Sequence, residues 1–515
     1  MSISPARRDD WIPIAAVLML GSIAFARLMS LPAFEDEGSQ LRWIFRMIQA
    51  GEWLAPLGEG KPLEAWPMVP LVRLGLHPLT AMRALHVLAG MIGAVLTYWL
   101  ALQLSSRATA FVSGVLFAIC PFVVNLQRFA DSDIFMCTAG IWVLLCVLQF
   151  IQSPTRWHAT TFAGGLLLAA FCKFPVGFVF LIAMPLALLL MPFNERRTLL
   201  RPPVVTKLLA AHVPIALLAL VVIIVTISQA RRGRPLGFGL QDLLGIGVGR
   251  YRNITEVIGI PRIKLADELT AQLSLPVMVI GLIGLAAGVL GRDWRQRWLI
   301  AVGAVPMLCI GLLAAFWFPR YLLFTLPPLI VAAVSGWRSL ALHTGRFRQP
   351  IHFVILSVCV GFMGYQSALI IFNPGAARWS PVDRFQYFEG WSSGYGYPEA
   401  AKFVLETPNA PLMIYSLDGH SAYQLLTYLP AAWKSRVKPI FYGQDGKGLN
   451  SEDARLANLL SRTPAWIVIS EQLLQSYLDS SFGRNNLGQI DLHQIASFDK
   501  PGSHGRLAIY AVSQR

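Results

Sequence analysis

The sequence predicts a mostly α-helical, polytopic membrane protein: a bundle of about eleven transmembrane helices over residues 1–372 and a soluble α/β domain over residues 373–515. Three observations carry this expectation. The chain of 515 residues is 55% hydrophobic and only 14% charged, whereas soluble domains carry about 25% charged residues. Apolar runs recur along residues 11–372, many of them near the roughly 20 residues that a spanning helix needs. Beyond residue 372 those runs shorten to strand length.

In chain order, Arg7 and Arg8 precede a long apolar run. That reads as a retained signal anchor, because a cleaved signal peptide has a shorter apolar core and a small-residue cleavage site. Candidate spans follow at 11–32, 81–103, 108–124, 133–152, 159–173, 175–191, 207–229, 273–291, 298–317, 320–336 and 350–372. The fifth and sixth are short and broken at Phe174-Pro175. Basic residues in the short loops set orientation. With a cytoplasmic N-terminus, the inner loops hold Arg107, Arg156, Arg196, Arg197, Arg201, Arg292, Arg295, Arg297, Arg338, Arg346 and Arg348. The loop 33–80, the loop 230–272 and the C-terminal domain are then expected outside, in a multi-pass protein of the plasma (inner) membrane. In the tail, "LMIYSL" at 412–417, "AWIVIS" at 465–470 and "RLAIYAV" at 506–512 alternate with helical stretches at 398–406 and 452–461, a small α/β pattern.

The net charge of +15 does not indicate nucleic-acid binding, because the basic residues lie between apolar runs and not in one polar block. All six cysteines fall in apolar segments without a CxxC pair, which excludes a zinc ribbon and a disulfide framework. The expected outer segments carry more cations than orientation requires. Lys61, Arg128 and Arg320 sit in very short loops or at helix ends, where charge is costly and marks function. Cations there suit a lipid-borne phosphate or pyrophosphate, which arginine grips with a fork and lysine as a point charge. The first outer loop opens "FEDEGS", with Glu35, Asp36 and Glu37 in a row. Leu41, Ile44, Phe45 and Ile48 then share one helical face. That face fits a helix in the membrane interface plane or one packed on the bundle.

Four motifs in order resemble the GT-C glycosyltransferases, in the branch of the protein mannosyltransferases and the aminoarabinose transferase. The family's Asp-Glu pair is matched by Asp36-Glu37, its "G-D/E-W-x-x-P" by Gly51-Glu52-Trp53-Leu54-Ala55-Pro56, and its "K-P-P-L-x-x-W" by Lys61-Pro62-Leu63-Glu64-Ala65-Trp66, with Leu63 replacing the second proline. "R-x-x-x-x-D" is matched by Arg128 and Asp133. "K-G-P" is represented by Lys173-Phe174-Pro175, without the glycine. "R-Y-L-L-P-x-x-P-P" resembles the run Arg320 to Pro328. The resemblance covers about residues 11–372. It implies the GT-C fold and transfer of a sugar from a polyprenyl-phosphate donor, with inversion, to an acceptor at the extracytoplasmic face. The acceptor, whether protein, lipid or glycan, is not read from the sequence.

The residues fit that chemistry. Asp36 is the expected general base for the acceptor hydroxyl, a contribution worth about 10²–10⁴-fold, and Glu37 stands beside it. A lipid phosphate leaves readily, so charge stabilisation matters more than an acid. Lys61 and Arg320 are the expected donor-phosphate ligands, supported by Arg128, Tyr321 and Lys173. Asp133 is expected to begin a helix, as an N-cap or as a second functional carboxylate, and Asp131 can exchange roles with it. No His or Asp cluster has metal-ligand spacing, so a divalent ion stays unassigned. The competing reading is a transporter or flippase for a lipid-linked or anionic solute. Transporters, however, show inverted repeats and midplane charges; here no repeat is visible, and the charges collect at helix ends.

Overall fold

The computed structural model describes residues 10–58, 61–174, 176–231, 265, 267–291, 293–313, 318–343, 349–408, 410–411, 413–416, 419–439, 464–479, 490–502 and 505–514. The chain forms two compact units. The first comprises Met1–Leu28, Glu52–Met68 and Met82–Ser380, and the second Met29–Gly51, Val69–Ala81 and Pro381–Arg515. The basic residues between 232 and 264, the Asn253-Ile254-Thr255 triplet and the expected 452–461 helix lie outside the described residues.

The first unit is helical, and among the described residues the apolar segments of the sequence form helices or broken pairs of helices. Among the described residues five helices are long and apolar enough to cross a membrane, or up to seven if each sharply bent pair is one span. Breaks in the helices account for part of the difference from eleven, and residues 314–317 of one candidate span lie outside the described residues. Arg107–Ala118 and Pro121–Arg128 meet at a 48° bend; proline tolerates the first helical position but cannot extend a preceding turn. Asp267–Leu273 and Leu275–Leu290 bend by 101°. At the sequence break near Pro175, the helix Arg156–Cys172 ends and the chain turns through a 3-10 stretch, Val176–Ile182, into Ala183–Leu190. Gly177 permits this fold-back, since a Cβ there would lie 2.2 Å from the Ala169 carbonyl oxygen.

Among the described residues, the second unit holds a five-stranded sheet in the order β2-β1-β3-β5-β4. Its strands are β1 (Met413–Ser416), β2 (Val437–Pro439), β3 (Ala465–Ser470), β4 (Ile490–Asp499) and β5 (Arg506–Gln514). β1 runs parallel to β2 and β3, while β5 is antiparallel to β3 and β4. Side chains alternate across a strand. Trp466 and Val468 of β3 therefore pack with the helices Tyr397–Glu406 and Gly419–Tyr428, while Ile467 and Ile469 pack with Leu474 of Glu471–Asp479. Burial on both faces explains why "AWIVIS" is continuously apolar.

The helix Glu35–Gln49 departs from both sequence expectations. Its apolar face, Leu41, Ile44 and Phe45, is buried, and Phe45 stacks on Tyr423 at 6.5 Å. Neither lipid nor the bundle is needed to cover that face, because the helix Gly419–Tyr428 of the same unit offers a matching one.

Candidate active site

The first unit gathers four charged groups around the turn 129–132. The helix Pro121–Arg128 ends there, and Ala130 adopts φ 46°. A left-handed non-glycine residue is strained, and such strain concentrates at functional turns. The turn presents Asp131 and Asp133 two residues apart. Asp131 Oδ2 accepts from Arg320 at 3.2 Å, and Asp133 Oδ2 accepts from the Lys173 ammonium at 2.6 Å. Arg320 lies on the 3-10 stretch Pro319–Thr325, its guanidinium 4.7 Å from the Phe318 ring centre. Tyr321 closes the cluster, with Lys173 Nζ 4.7 Å above its ring. Burial pushes the Asp131 carboxyl up, but Arg320, the hydrogen bond to Asp133, Lys173 and Lys61 together outweigh it and hold the group well below the usual carboxylate range.

Asp133 is therefore not a simple N-cap. It is the first residue of Asp133–Gln152, its own N–H is accepted by Asp131 Oδ1 at 3.4 Å, and its carboxylate is fully buried against Lys173. Ser132 holds the N-cap position without a side-chain bond, and Asp131 before it accepts that one first-turn N–H. Lys173 consequently serves a carboxylate first, even without the glycine of the family pattern.

Lys61 precedes the short helix Pro62–Ala65 and lies 3.7 Å from Glu64. Trp66 locks this loop by donating its indole N–H to the Trp53 carbonyl at 2.9 Å. Arg128 is placed differently from expectation. Its guanidinium donates to the carbonyls of Ala24, Ala26 and Arg27 at 3.0, 2.6 and 3.0 Å, and Arg83 adds the Leu28 carbonyl at 2.9 Å. Carbonyls at the end of a helix lack intrahelical partners and favour cations. Arg128 and Arg83 fill that need after Trp11–Phe25, so the Arg128 guanidinium is engaged by the backbone.

In the second unit, Glu35, Asp36 and Glu37 form the first turn of Glu35–Gln49, where the helix dipole favours negative charge. Glu37 is fully buried, and its Oε2 accepts the Phe34 N–H at 2.9 Å. It caps the helix, whereas Asp36 beside it is half-buried.

Several contributors were not evident from sequence. His86 is fully buried, with Nδ1 2.8 Å from the Met82 carbonyl and its ring edge-on to Phe135 at 4.5 Å. That geometry assigns the proton to Nδ1 and leaves Nε2 as an acceptor. Among the described residues, His86 Nε2, both amide atoms of Asn125, Gln127 Nε2, Ser132 Oγ and Asp133 Oδ1 are buried without a hydrogen-bond partner. Each such group costs about 1–3 kcal/mol, and they concentrate along 125–133. The only advance signal was polar residues interrupting apolar runs. A cavity of about 180 Å³ lies among Leu326, Leu329, Ile330, Trp337, Met307 and Met363. One of its wall residues, Leu326, directly follows the Arg320 segment Pro319–Thr325. No group of three or more His, Cys, Asp or Glu side chains among the described residues could hold a metal ion.

Known proteins share this arrangement of helices. A sequence model described as dolichyl-phosphate-mannose-protein mannosyltransferase matches residues 60–228. No curated protein sequence matches the chain. ArnT from Cupriavidus metallidurans bound to undecaprenyl phosphate superposes with a TM-score of 0.61 at 14% identity, covering 98% of this chain and 98% of that one. Its apo form gives 0.57 at 15% identity, covering 99% and 98%. The oligosaccharyltransferase of Archaeoglobus fulgidus gives 0.54 at 11% identity, covering 95% of this chain and 72% of that one. The chain has the GT-C glycosyltransferase fold. The chain is a multi-pass membrane protein, as its apolar helices require. The matched stretch contains Lys61, Arg128, Asp131, Asp133 and Lys173; Arg320 and Tyr321 join them only through packing.

Proposed function

We propose that this protein is a membrane glycosyltransferase that moves a sugar from a polyprenyl-phosphate donor to an acceptor on the extracytoplasmic face. The observation that carries the reading is the buried cluster of Asp131, Asp133, Lys173, Arg320 and Tyr321, set in a fold shared with lipid-linked glycosyltransferases. ArnT is described bound to undecaprenyl phosphate, and an archaeal oligosaccharyltransferase in complex with an inhibitory peptide and a dolichol-phosphate.

Lys61 and Arg320 take the donor phosphate, and Tyr321 adds a hydroxyl hydrogen bond. The apolar cavity beyond Arg320 suits an isoprenoid chain, since it is lined by aliphatic side chains, methionines and Trp337. Asp36 accepts the proton of the acceptor hydroxyl as its oxygen bonds to the anomeric carbon. The bond from that carbon to the phosphate oxygen breaks, and the polyprenyl phosphate leaves with the electron pair, so one displacement inverts configuration. Charge on the leaving phosphate is stabilised by Lys61 and Arg320, an effect that is largest where water is excluded. Lys173 holds Asp133, and Asp133 meets hydroxyls of donor sugar or acceptor. The protein sits in the inner membrane with its N-terminus cytoplasmic and residues 373–515 outside. A transporter is disfavoured because the buried charges gather where helices end.

Membranes containing the protein and radiolabelled undecaprenyl-phosphate sugars test this reading. Asp36→Asn is expected to abolish transfer while expression is retained. Undiminished turnover would remove Asp36 as the base. Mass spectrometry of envelope glycans and glycolipids, with and without the gene, identifies the acceptor.

A further inference from the structure

Within the second unit, a chain of buried hydrogen bonds ends on the first turn of the helix that carries Asp36. It begins at Lys500, in the turn between β4 and β5. The ammonium is buried and donates to the carbonyls of Gly390, Trp391 and Ser393 at 2.8, 3.4 and 3.4 Å. The loop is fastened further by Ser392 Oγ to the Gln386 carbonyl at 3.1 Å and Ser393 Oγ to the Phe388 carbonyl at 3.0 Å. Burial pushes the Lys500 ammonium down to about 7, while three acceptors around one nitrogen favour the charged form.

The fastened loop then grips the helix start. The Ser392 carbonyl accepts the Glu35 N–H at 3.1 Å, one of the first-turn donors that a helix cannot satisfy itself. Gln424 ties both sides together, donating to the Ala33 carbonyl at 2.8 Å and to the Ser392 carbonyl at 3.3 Å. Tyr428 Oη accepts the Ala33 N–H at 2.6 Å, and Phe34 meets Tyr387 edge-on at 4.9 Å. Gly394 lies so close that a Cβ would come within 2.1 Å of the Ala33 carbonyl oxygen. A solvated loop needs none of this. The arrangement fixes the position and direction of one helical turn, and the one carboxylate in that turn assigned as a base is Asp36.

We propose that the 390–394 loop is a clamp that sets the Asp36 carboxylate, with Lys500 and Gln424 as positioning residues. This rests on the reading of Asp36 as the base. It gives the C-terminal region a role in the reaction without placing any of its side chains on substrate. A displacement of about 1 Å at a reacting group can cost about 100-fold in rate, so loosening the clamp lowers turnover in a folded protein.

The test combines hydrogen exchange of the full-length protein in detergent with envelope-product levels, read by mass spectrometry in cells lacking the native gene. Lys500→Met and Gln424→Met are expected to raise exchange in residues 34–38 by about 10-fold or more and to lower product. Exchange in 133–152 should stay unchanged, which shows that the bundle is folded. Lys500→Arg, which keeps the donors, is expected to restore both readouts. If Lys500→Met fails to accumulate, Gln424→Met carries the same comparison. Unchanged exchange and product in the Met variants, beside an inactive Asp36→Asn, would overturn the clamp and leave Asp36 as the base. Product persisting in Asp36→Asn would remove the base itself and the clamp's catalytic role with it, whatever the exchange shows.

Discussion

Replacing Lys173 by methionine removes the ammonium that lies 2.6 Å from the Asp133 carboxylate. At an effective dielectric constant of about 20, unit charges at that separation attract by about 6 kcal/mol. Relief of the lysine's own desolvation offsets part of the loss. Breaking a buried pair from one side therefore costs about 3–5 kcal/mol, because the remaining carboxylate is stranded. Here the stranded group is fully buried, and a second carboxylate, Asp131, stands two residues away. Removing both charges in Lys173→Met/Asp133→Leu leaves an apolar pair of similar volume, and such replacements are often neutral. The expected outcome is a double-mutant cycle with a coupling of about 2–4 kcal/mol, the double variant being more stable than Lys173→Met alone. Denaturant unfolding of the purified full-length protein in detergent, followed by tryptophan fluorescence, measures each corner. Additivity within about 0.5 kcal/mol, the behaviour of independent sites, would refute the direct pairing and its place at the centre of the site.

Lys61→Ala and Arg320→Ala are each expected to raise the donor KM at least 10-fold with little change in acceptor KM; equal losses for both substrates would count against the phosphate role. Arg128→Met is expected to behave differently. It removes guanidinium bonds to three carbonyls, each worth about 1.5–3 kcal/mol for a charged donor, so denaturant unfolding should show a large stability loss. Residual folded protein should keep its donor KM, and a raised KM at unchanged stability would return Arg128 to the phosphate site.

The fold class was legible because it follows from quantities summed over long windows. About 20 apolar residues in a row specify a spanning helix whatever their neighbours, and the continuous run of β3 specifies a strand buried on both faces. The motifs were legible for a related reason: Lys61, Asp36 and Arg320 each stand in a short local pattern, and a charge beside an apolar run is visible without coordinates. β2 and β4 were missed, since three residues carry little periodicity and β4 mixes polar and apolar positions with a bulge near Gln494 and Ala496.

Partnerships were not legible. A lysine at a helix end reads alike whether it faces phosphate or carboxylate. Only packing brought Lys173 to Asp133 across 40 residues and Arg320 to Asp131 across 189. Packing also turned Arg128 onto backbone carbonyls, gave Glu37 its capping role, and covered the Glu35–Gln49 helix with residues nearly four hundred positions later. Sequence by itself determined which segments are helices, which end in charge, and where the local motifs begin. Tertiary structure alone decided which opposite charges meet, because the energy of a buried charge depends on what lies within a few ångströms, and that distance has no counterpart along the chain.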